Sequence, residues 1–225
     1  GYGRIIRNAN NEIIKIVEQK DASIQELSVN EINTGIYCFQ SQELLKALDS
    51  ITCKNSQGEY YLTDVIDIFV KQNKTVLAAP VKDYRYTMGI NSRVQLAEAE
   101  VLMRQRKLNE LMISGVTVMD PGSTFIDNNV SIGTDTVIYP FTWLEGNTVI
   151  GNECSIGPNV RLTNTVIGDH AVVHFTYGHD CILENDVTVG PYVHLRPNTV
   201  LHTGVKVGNF VEIKNSLIGK NSKVP

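Results

Sequence analysis

From Ile126 onward an aliphatic side chain returns at almost every sixth position: Ile132, Ile138, Leu144, Ile150, Ile156 and Leu162, then a step of five to Ile167, then Val173. After an irregular stretch over 174–182 the series resumes at Leu183, Val189, Leu195, Leu201, Val207 and Ile213, and a second step of five leads to Ile218 and Val224. A spacing of six is neither the 3.6 residues of a helix nor the two of an ordinary strand, so the repeating unit is supersecondary. In a hexad such as Ile132 to Val137 the aliphatic residue points inward and stacks on its equivalents about 4.8 Å above and below. Small or turn-forming residues follow it, among them Asp127, Gly133, Gly151, Gly168 and Gly208, where the chain must bend between faces. One hexad alone buries nothing, so such a structure is stable only by stacking many. The pattern predicts a hexapeptide β-solenoid, with loops or corners at the steps of five and across 174–182.

The first 92 residues follow other periods. Arg4 to Ile6 and Ile13 to Val17 predict a hairpin around Asn8-Ala9-Asn10-Asn11. Ile36 to Phe39 ends a β-prone run, and Ser41 is the predicted cap of a helix through Leu48, with Glu43 in its first turn. A second helix is expected over Tyr61 to Val70, beginning near Thr63-Asp64, and a buried strand over Thr75 to Val81. This alternation predicts an α/β sheet domain. From Ser92 to Ser114 the spacing turns helical, with Val94, Ala97, Val101, Leu102, Leu108, Leu111 and Met112 near one face and Arg93, Glu98, Arg104, Arg106 and Lys107 off it. It reads as a linking helix. Gly115 ends it, and Asp120-Pro121-Gly122 turns the chain into the solenoid. The expected domains are 1–92, a linker helix 93–115 and a solenoid 116–225.

Composition narrows the setting. A chain of 225 residues with 42% hydrophobic content has material for two cores, and a formal charge of −4 argues against a nucleic-acid or anionic-membrane surface. No apolar run reaches the roughly 18 to 20 residues that cross a bilayer, and no signal peptide is seen. Cys38, Cys53, Cys154 and Cys181 are isolated, which suits buried thiols in a reducing cytoplasm. His170, His174, His179, His194 and His202 are irregularly spaced, without flanking ligand patterns, and read as exposed or corner residues rather than a metal site. The start without methionine and the stop in mid-coil at Pro225 suggest an internal piece of a longer protein.

Several motifs taken singly have ordinary readings as turns or solvated strand ends; their order is what informs. Gly-Tyr-Gly-Arg-Ile at 1–5, Val-Glu-Gln-Lys-Asp-Ala at 17–22, Glu-Ile-Asn-Thr-Gly at 31–35, Gln-Gly-Glu-Tyr-Tyr-Leu-Thr-Asp at 57–64 and Gly-Ile-Asn-Ser-Arg at 89–93 resemble those of sugar-nucleotide pyrophosphorylases. Followed by hexads that contain Leu195-Arg196-Pro197 and the run Gly208 to Asn215, the series resembles the bacterial family of bifunctional UDP-N-acetylglucosamine pyrophosphorylases and glucosamine-1-phosphate N-acetyltransferases. The resemblance implies α/β plus all-β architecture: the C-terminal part of a Rossmann-like nucleotidyltransferase domain, the linking helix, and a left-handed parallel β-helix that forms a homotrimer.

The resemblance also implies roles. Gly3, Glu18 and Asn33 would hold the N-acetylglucosamine moiety of UDP-N-acetylglucosamine, and Asn91 would serve both the Mg²⁺ and the nucleotide sugar. Tyr61 and Thr63 are candidates for the same pocket. Arg196 and Lys214 match phosphosugar-binding positions for glucosamine-1-phosphate; a guanidinium fork and an ammonium together suit a dianion. They stand 18 residues apart, one coil of three hexads, which predicts adjacent rungs of one face. Glu212 is a candidate to orient the substrate amine. UTP and acetyl-CoA are the co-substrates. The family's UTP loop and Mg²⁺-binding aspartate would precede Gly1, and its catalytic histidine would follow Pro225, so the piece alone is expected to be inactive in both reactions. A simple pyrophosphorylase with a hexapeptide tail, and a non-catalytic solenoid subunit, are the competing readings.

Overall fold

The computed structural model describes residues 2–225, so Gly1 of the Gly-Tyr-Gly run lies outside the described residues. The chain divides into two compact units, 1–91 and 92–225. In the first, β1 (Arg4–Arg7) pairs antiparallel with β2 (Ile13–Val17) as predicted. The Asn8 side-chain oxygen accepts from the backbone N–H of Asn10 and Glu12, both at 3.0 Å, and Asn11 takes φ +65°, so the asparagines close the hairpin. Three helices follow: α1 (Ile24–Leu27), α2 (Ser41–Leu48) and α3 (Asp64–Lys71). The short α1 is stabilised by a capping box between Ser23 and Glu26. Phe39, Leu44, Leu48 and Val76 pack around buried Ala47, Val65 and Phe69, which join α2 to α3.

Four local expectations are corrected here. Ser41 is the first residue of α2 rather than its cap; Gln40 holds that position without a side-chain bond. The predicted helix over 61–70 begins at Asp64. The runs 36–39 and 75–81 form no strand: their backbones find no ladder partner among the described residues, and Ile36 and Leu77 stay exposed. Finally, the thiols of Cys38 and Cys53 are exposed, while Cys154 and Cys181 are buried.

The second unit begins with α4 (Arg93–Ile113), capped by Ser92, whose hydroxyl accepts from Gln95 N–H at 3.2 Å. Only its last turns are covered. Leu108 and Leu111 enter the solenoid core, and the expected off-face Lys107 is buried as well, its Nζ donating to the Asn128 carbonyl at 3.0 Å. Arg104 lies 4.4 Å from the Phe125 ring centre, pinning the same turn. Val94 and Val101, expected on the packed face, are exposed.

Beyond α4 the chain winds through three parallel sheets of six, six and seven strands, whose neighbours in space lie one coil apart in sequence. Each predicted ladder position falls on an inward-facing strand residue, and Ile138, Leu144, Ile156, Leu162, Val173, Leu183, Val189, Leu195 and Leu201 are fully buried. The step of five to Ile167 is absorbed at a corner, since Val166–Ile167 remains paired with Val149–Ile150.

The stretch 174–182 is not the loop expected. Thr176–His179 is a strand in register with Val160–Thr163 on one side and Val193–Leu195 on the other. Its inward residue is Gly178, opposite Leu162 and Leu195, so the ladder continues without an aliphatic side chain. A Cβ there would lie 3.0 Å from Leu162 Cδ2 and 3.6 Å from Leu195 Cβ; the neighbours fill the space themselves.

Polar groups are satisfied at the corners. The buried hydroxyls of Thr136, Thr142, Thr148 and Thr176 donate to carbonyls at 2.8–2.9 Å. Asn152, Asp169 and Asn185 cap one corner in a ladder, accepting from the backbone N–H of Thr134, Asn152 and Asp169 at 3.0, 2.7 and 2.9 Å. The left-handed backbone at that corner and its neighbour is carried mainly by Asn, Asp and Gly, which tolerate it. At the third corner Phe141, Phe175, Tyr192 and Phe210 adopt φ of +46° to +59°. Tyr192 stacks on Phe210 with ring centres 5.1 Å apart, which offsets part of that strain.

Two outcomes test this account. Gly190 has φ +116°, and a Cβ there would overlap the His174 carbonyl oxygen, so Gly190→Ala should cost about 3 kcal/mol and lower the melting temperature in calorimetry. The Glu184 carboxylate accepts from His202, and from Thr203 N–H and hydroxyl, which pull its pKa from 4.5 to about 2. A depressed carboxyl pKa contributes stability above the unfolded value and loses it as pH falls toward the folded one. The gap in melting temperature between the native protein and Glu184→Gln should therefore close as pH drops from about 4.5 to about 2.

Candidate functional site

Two clusters gather the residues singled out in the sequence, one in each unit. In the first, the Asn33 N–H donates to the Gly3 carbonyl at 2.8 Å, which lays the 31–33 segment along the open edge of β1. Gly3 faces the end of β2: a Cβ would lie 3.3 Å from Ile16 Cγ2 and Val17 O and 3.4 Å from Glu18 Oε1. The glycine thus permits a close approach that any side chain would crowd. Glu18 Oε1 also accepts from the Thr63 hydroxyl at 3.2 Å, and Thr63 is buried. Thr63 occupies the cap position of α3 yet makes no cap bond; its hydroxyl is turned to the carboxylate instead. Gly3, Glu18, Asn33 and Thr63 are therefore one cluster. The Gly89 N–H donates to the Tyr2 hydroxyl at 2.8 Å, bringing the segment that carries Asn91 to the start of β1. Tyr61 stands at the rim, its hydroxyl accepting from Gln57 Nε2 at 2.5 Å.

As for the magnesium implied by the resemblance, Asn91 offers one neutral oxygen. Among the described residues no group of three His, Cys, Asp or Glu side chains could hold a metal. Mg²⁺ is normally held by one or two carboxylates together with phosphate oxygens and water. The groups present here do not by themselves make that site, and no step is derived through the ion.

The second cluster lies on the outer face of one solenoid sheet. Leu195 pairs in register with Ile213 and His194 with Glu212, and Arg196 N–H donates to the Ile213 carbonyl at 2.8 Å. Arg196 and Lys214 therefore follow their inward leucine and isoleucine on successive rungs of the same face, as the 18-residue spacing predicts. Arg196 Nη1 lies 2.9 Å from Glu212 Oε1, and this contact, with the charges of His194 and Lys214, holds the Glu212 carboxyl below its ordinary range. Lys214 is exposed and has no ion-pair partner within 4 Å among the described residues. On the same face, two rungs before Arg196, Arg161 makes a bidentate pair with Glu145 at 2.9 Å. That arginine is a strut already spent on a carboxylate.

The sequence reading set the histidines at corners, and for two of them the structure corrects this. His179 ends a strand, and His194 stands in the middle of one, facing outward between Tyr177 and Glu212 with its ring centre 5.1 Å from that of Tyr177. The signal that could have located His194 is its 18-residue distance from Glu212. Next to this face, Phe141, Trp143, Arg161, Phe175, Tyr177 and Tyr192 line a shallow groove of about 550 Å³.

The three parallel sheets define a hexapeptide-repeat solenoid, and an α/β unit stands before it in the chain. The particular relatives are bifunctional: the chain is 48% identical over 223 residues to "Bifunctional protein GlmU" of Geobacillus sp. (strain WCH70), covering 99% of this chain and 49% of that one. It is 50% identical over 228 residues to the protein of the same name from Clostridium botulinum (strain Kyoto / Type A2), covering 100% and 49%. The chain spans about half the length of the curated relatives it matches. The motif resemblance thus extends over the whole chain at close to half identity. Residues 121–225 also match the family described as GMPPB C-terminal domain. Among solved structures, the acetyltransferase domain of PglB from Neisseria gonorrhoeae FA1090 in complex with acetyl coenzyme A aligns with 55% of this chain and 62% of its own, at 10% identity and a TM-score of 0.26. At that score the likeness decides nothing about chemistry.

The Arg196–Glu212 contact gives a test independent of any ligand. With Arg196→Ala, the Glu212 carboxyl should titrate at a higher pH, back toward the ordinary range, as followed by its side-chain carbon resonance. An unmoved titration would mean the pair does not form.

Proposed function

We propose that this chain carries substrate-binding parts of both halves of a GlmU-type bifunctional enzyme. The first unit would contribute the sugar-binding side of a uridylyltransferase that joins UTP and N-acetylglucosamine-1-phosphate into UDP-N-acetylglucosamine. The solenoid would contribute the phosphosugar site of the acetyltransferase that acetylates glucosamine-1-phosphate from acetyl-CoA. The observation that carries the reading is the register that sets Arg196 beside Lys214 on consecutive rungs.

The chemistry follows from the groups present. A sugar phosphate dianion is met by a guanidinium fork and an ammonium about one strand spacing, ~4.8 Å, apart. Glu212, already ionised beside Arg196, is an acceptor for the amino group of the same sugar, and it leaves Lys214 as the cation not committed to a carboxylate. In the first unit, Glu18 and Asn33 offer the acceptor and donor set that paired sugar hydroxyls and an acetamido group require, and Gly3 leaves room for them. Asn91 would meet the nucleotide sugar and one face of the Mg²⁺, with the ion's carboxylate and phosphate ligands coming from elsewhere. As parts of the same reading, the complete protein works as a homotrimer through its solenoid, in the cytoplasm. Among the described residues no helix is long and apolar enough to cross a membrane.

Isothermal titration of the chain with glucosamine-1-phosphate tests the solenoid site. Arg196→Ala and Lys214→Ala should each weaken binding about tenfold or more, as loss of a charge-assisted bond does, and the loss should shrink in high salt. Binding untouched by both substitutions would overturn the assignment, and binding of the nucleotide sugar alone would favour a simple pyrophosphorylase.

A further inference from the structure

The first cluster holds a group that the proposed function does not use. The Tyr37 hydroxyl is enclosed and closes no hydrogen bond of ordinary geometry. It lies against the Asn33 carboxamide, and the charge of Glu18 reaches it as well. Its ring is held from behind: Tyr37 stacks on Phe39 with centres 5.5 Å apart, and Phe39 meets Phe69 of the α2–α3 core edge-on at 6.0 Å. A phenol so anchored cannot swing to water, and an enclosed polar atom without a full partner is a cost that a fold seldom carries without return.

Asn33 explains the return. Its Oδ1 is committed, accepting from Gly35 N–H at 3.1 Å in a turn that needs the left-handed φ of +77° at Gly35. What Asn33 can still offer is its NH₂ group, and Tyr37 stands beside it. Burial raises the Tyr37 pKa, while the contact with Asn33 lowers it; an amide donating to the phenol oxygen has that effect.

We propose that Tyr37 is a positioning residue for the sugar site: its hydroxyl receives one Asn33 amide hydrogen and so aims the other at the ligand. The chain Phe69–Phe39–Tyr37–Asn33 thereby connects the helical core to the ligand-facing amide. This inference rests on the sugar-binding reading of the Gly3–Glu18–Asn33 cluster. Tyr37 does not touch the sugar, because its oxygen is sealed from solvent.

The test uses the whole chain with N-acetylglucosamine-1-phosphate as the probe, with binding followed by NMR titration and stability by calorimetry. Tyr37→Phe keeps the ring stack and removes the oxygen. It should weaken binding about fivefold to tenfold, the range of one neutral hydrogen bond, while the melting temperature holds or rises because an under-satisfied buried hydroxyl has gone. The Asn33 side-chain amide resonances should shift in Tyr37→Phe without ligand, and Tyr37→Leu, which also breaks the stack, should lose stability as well as affinity. If Asn33→Ala weakens binding and Tyr37→Phe leaves both binding and the amide resonances unchanged, the positioning role is overturned and the site stands. If Asn33→Ala and Glu18→Ala bind as well as the native chain, or the native chain does not bind, the site reading fails and the inference with it.

Discussion

The stacking of inward aliphatic side chains is the constraint on which the solenoid's surface depends. Strand side chains alternate between faces, so fixing Leu195 and Ile213 inward forces His194, Arg196, Glu212 and Lys214 outward. A slip of one residue between coils would send that whole set into the core. The corners take up variation in coil length: Leu144 and Leu162 are 18 residues apart, whereas Leu162 and Gly178 are 16 apart, and both pairs are in register. Because the register survives, two cations distant in sequence meet on one face with no dedicated loop to hold them.

Both clusters divert groups from structural work. Thr63 stands where a helix cap would bond and gives its hydroxyl to Glu18 instead. Gly3 gives up side-chain packing for a close approach to Ile16 and Val17. On the solenoid, Arg161 and Arg196 both meet a carboxylate, but Glu145 binds Arg161 through two bonds and takes a third from Thr163, whereas Glu212 holds Arg196 through one. Chemically similar pairs thus differ in availability: the first is closed on itself, and the second keeps donors for an incoming anion.

Much of this was legible in the chain. Period six has one structural solution, so the solenoid, its inward ladder and the adjacency of Arg196 to Lys214 followed from spacing. The hairpin followed from the asparagines at 8, 10 and 11, whose side chains and backbone make the turn locally. What escaped were features decided by partners. The runs at 36–39 and 75–81 have strand composition and no strand, since a ladder needs a neighbour. Gly178 hid a regular rung, because an inward glycine carries no hydrophobic signal although its register is fixed by Leu162 and Leu195.

The sequence by itself determined the coil, because repeated stacking multiplies a weak preference per hexad until one register prevails. It also carried the family resemblance, through the order of short motifs that the relatives share at close to half identity. Only the tertiary structure decided which groups meet across long separations: Gly3 with Asn33, Glu18 with Thr63, His194 with Tyr177, and the Tyr37 hydroxyl with Asn33. Those meetings depend on distances and hydrogen-bond directions set by packing between elements, and no local pattern in the chain encodes them.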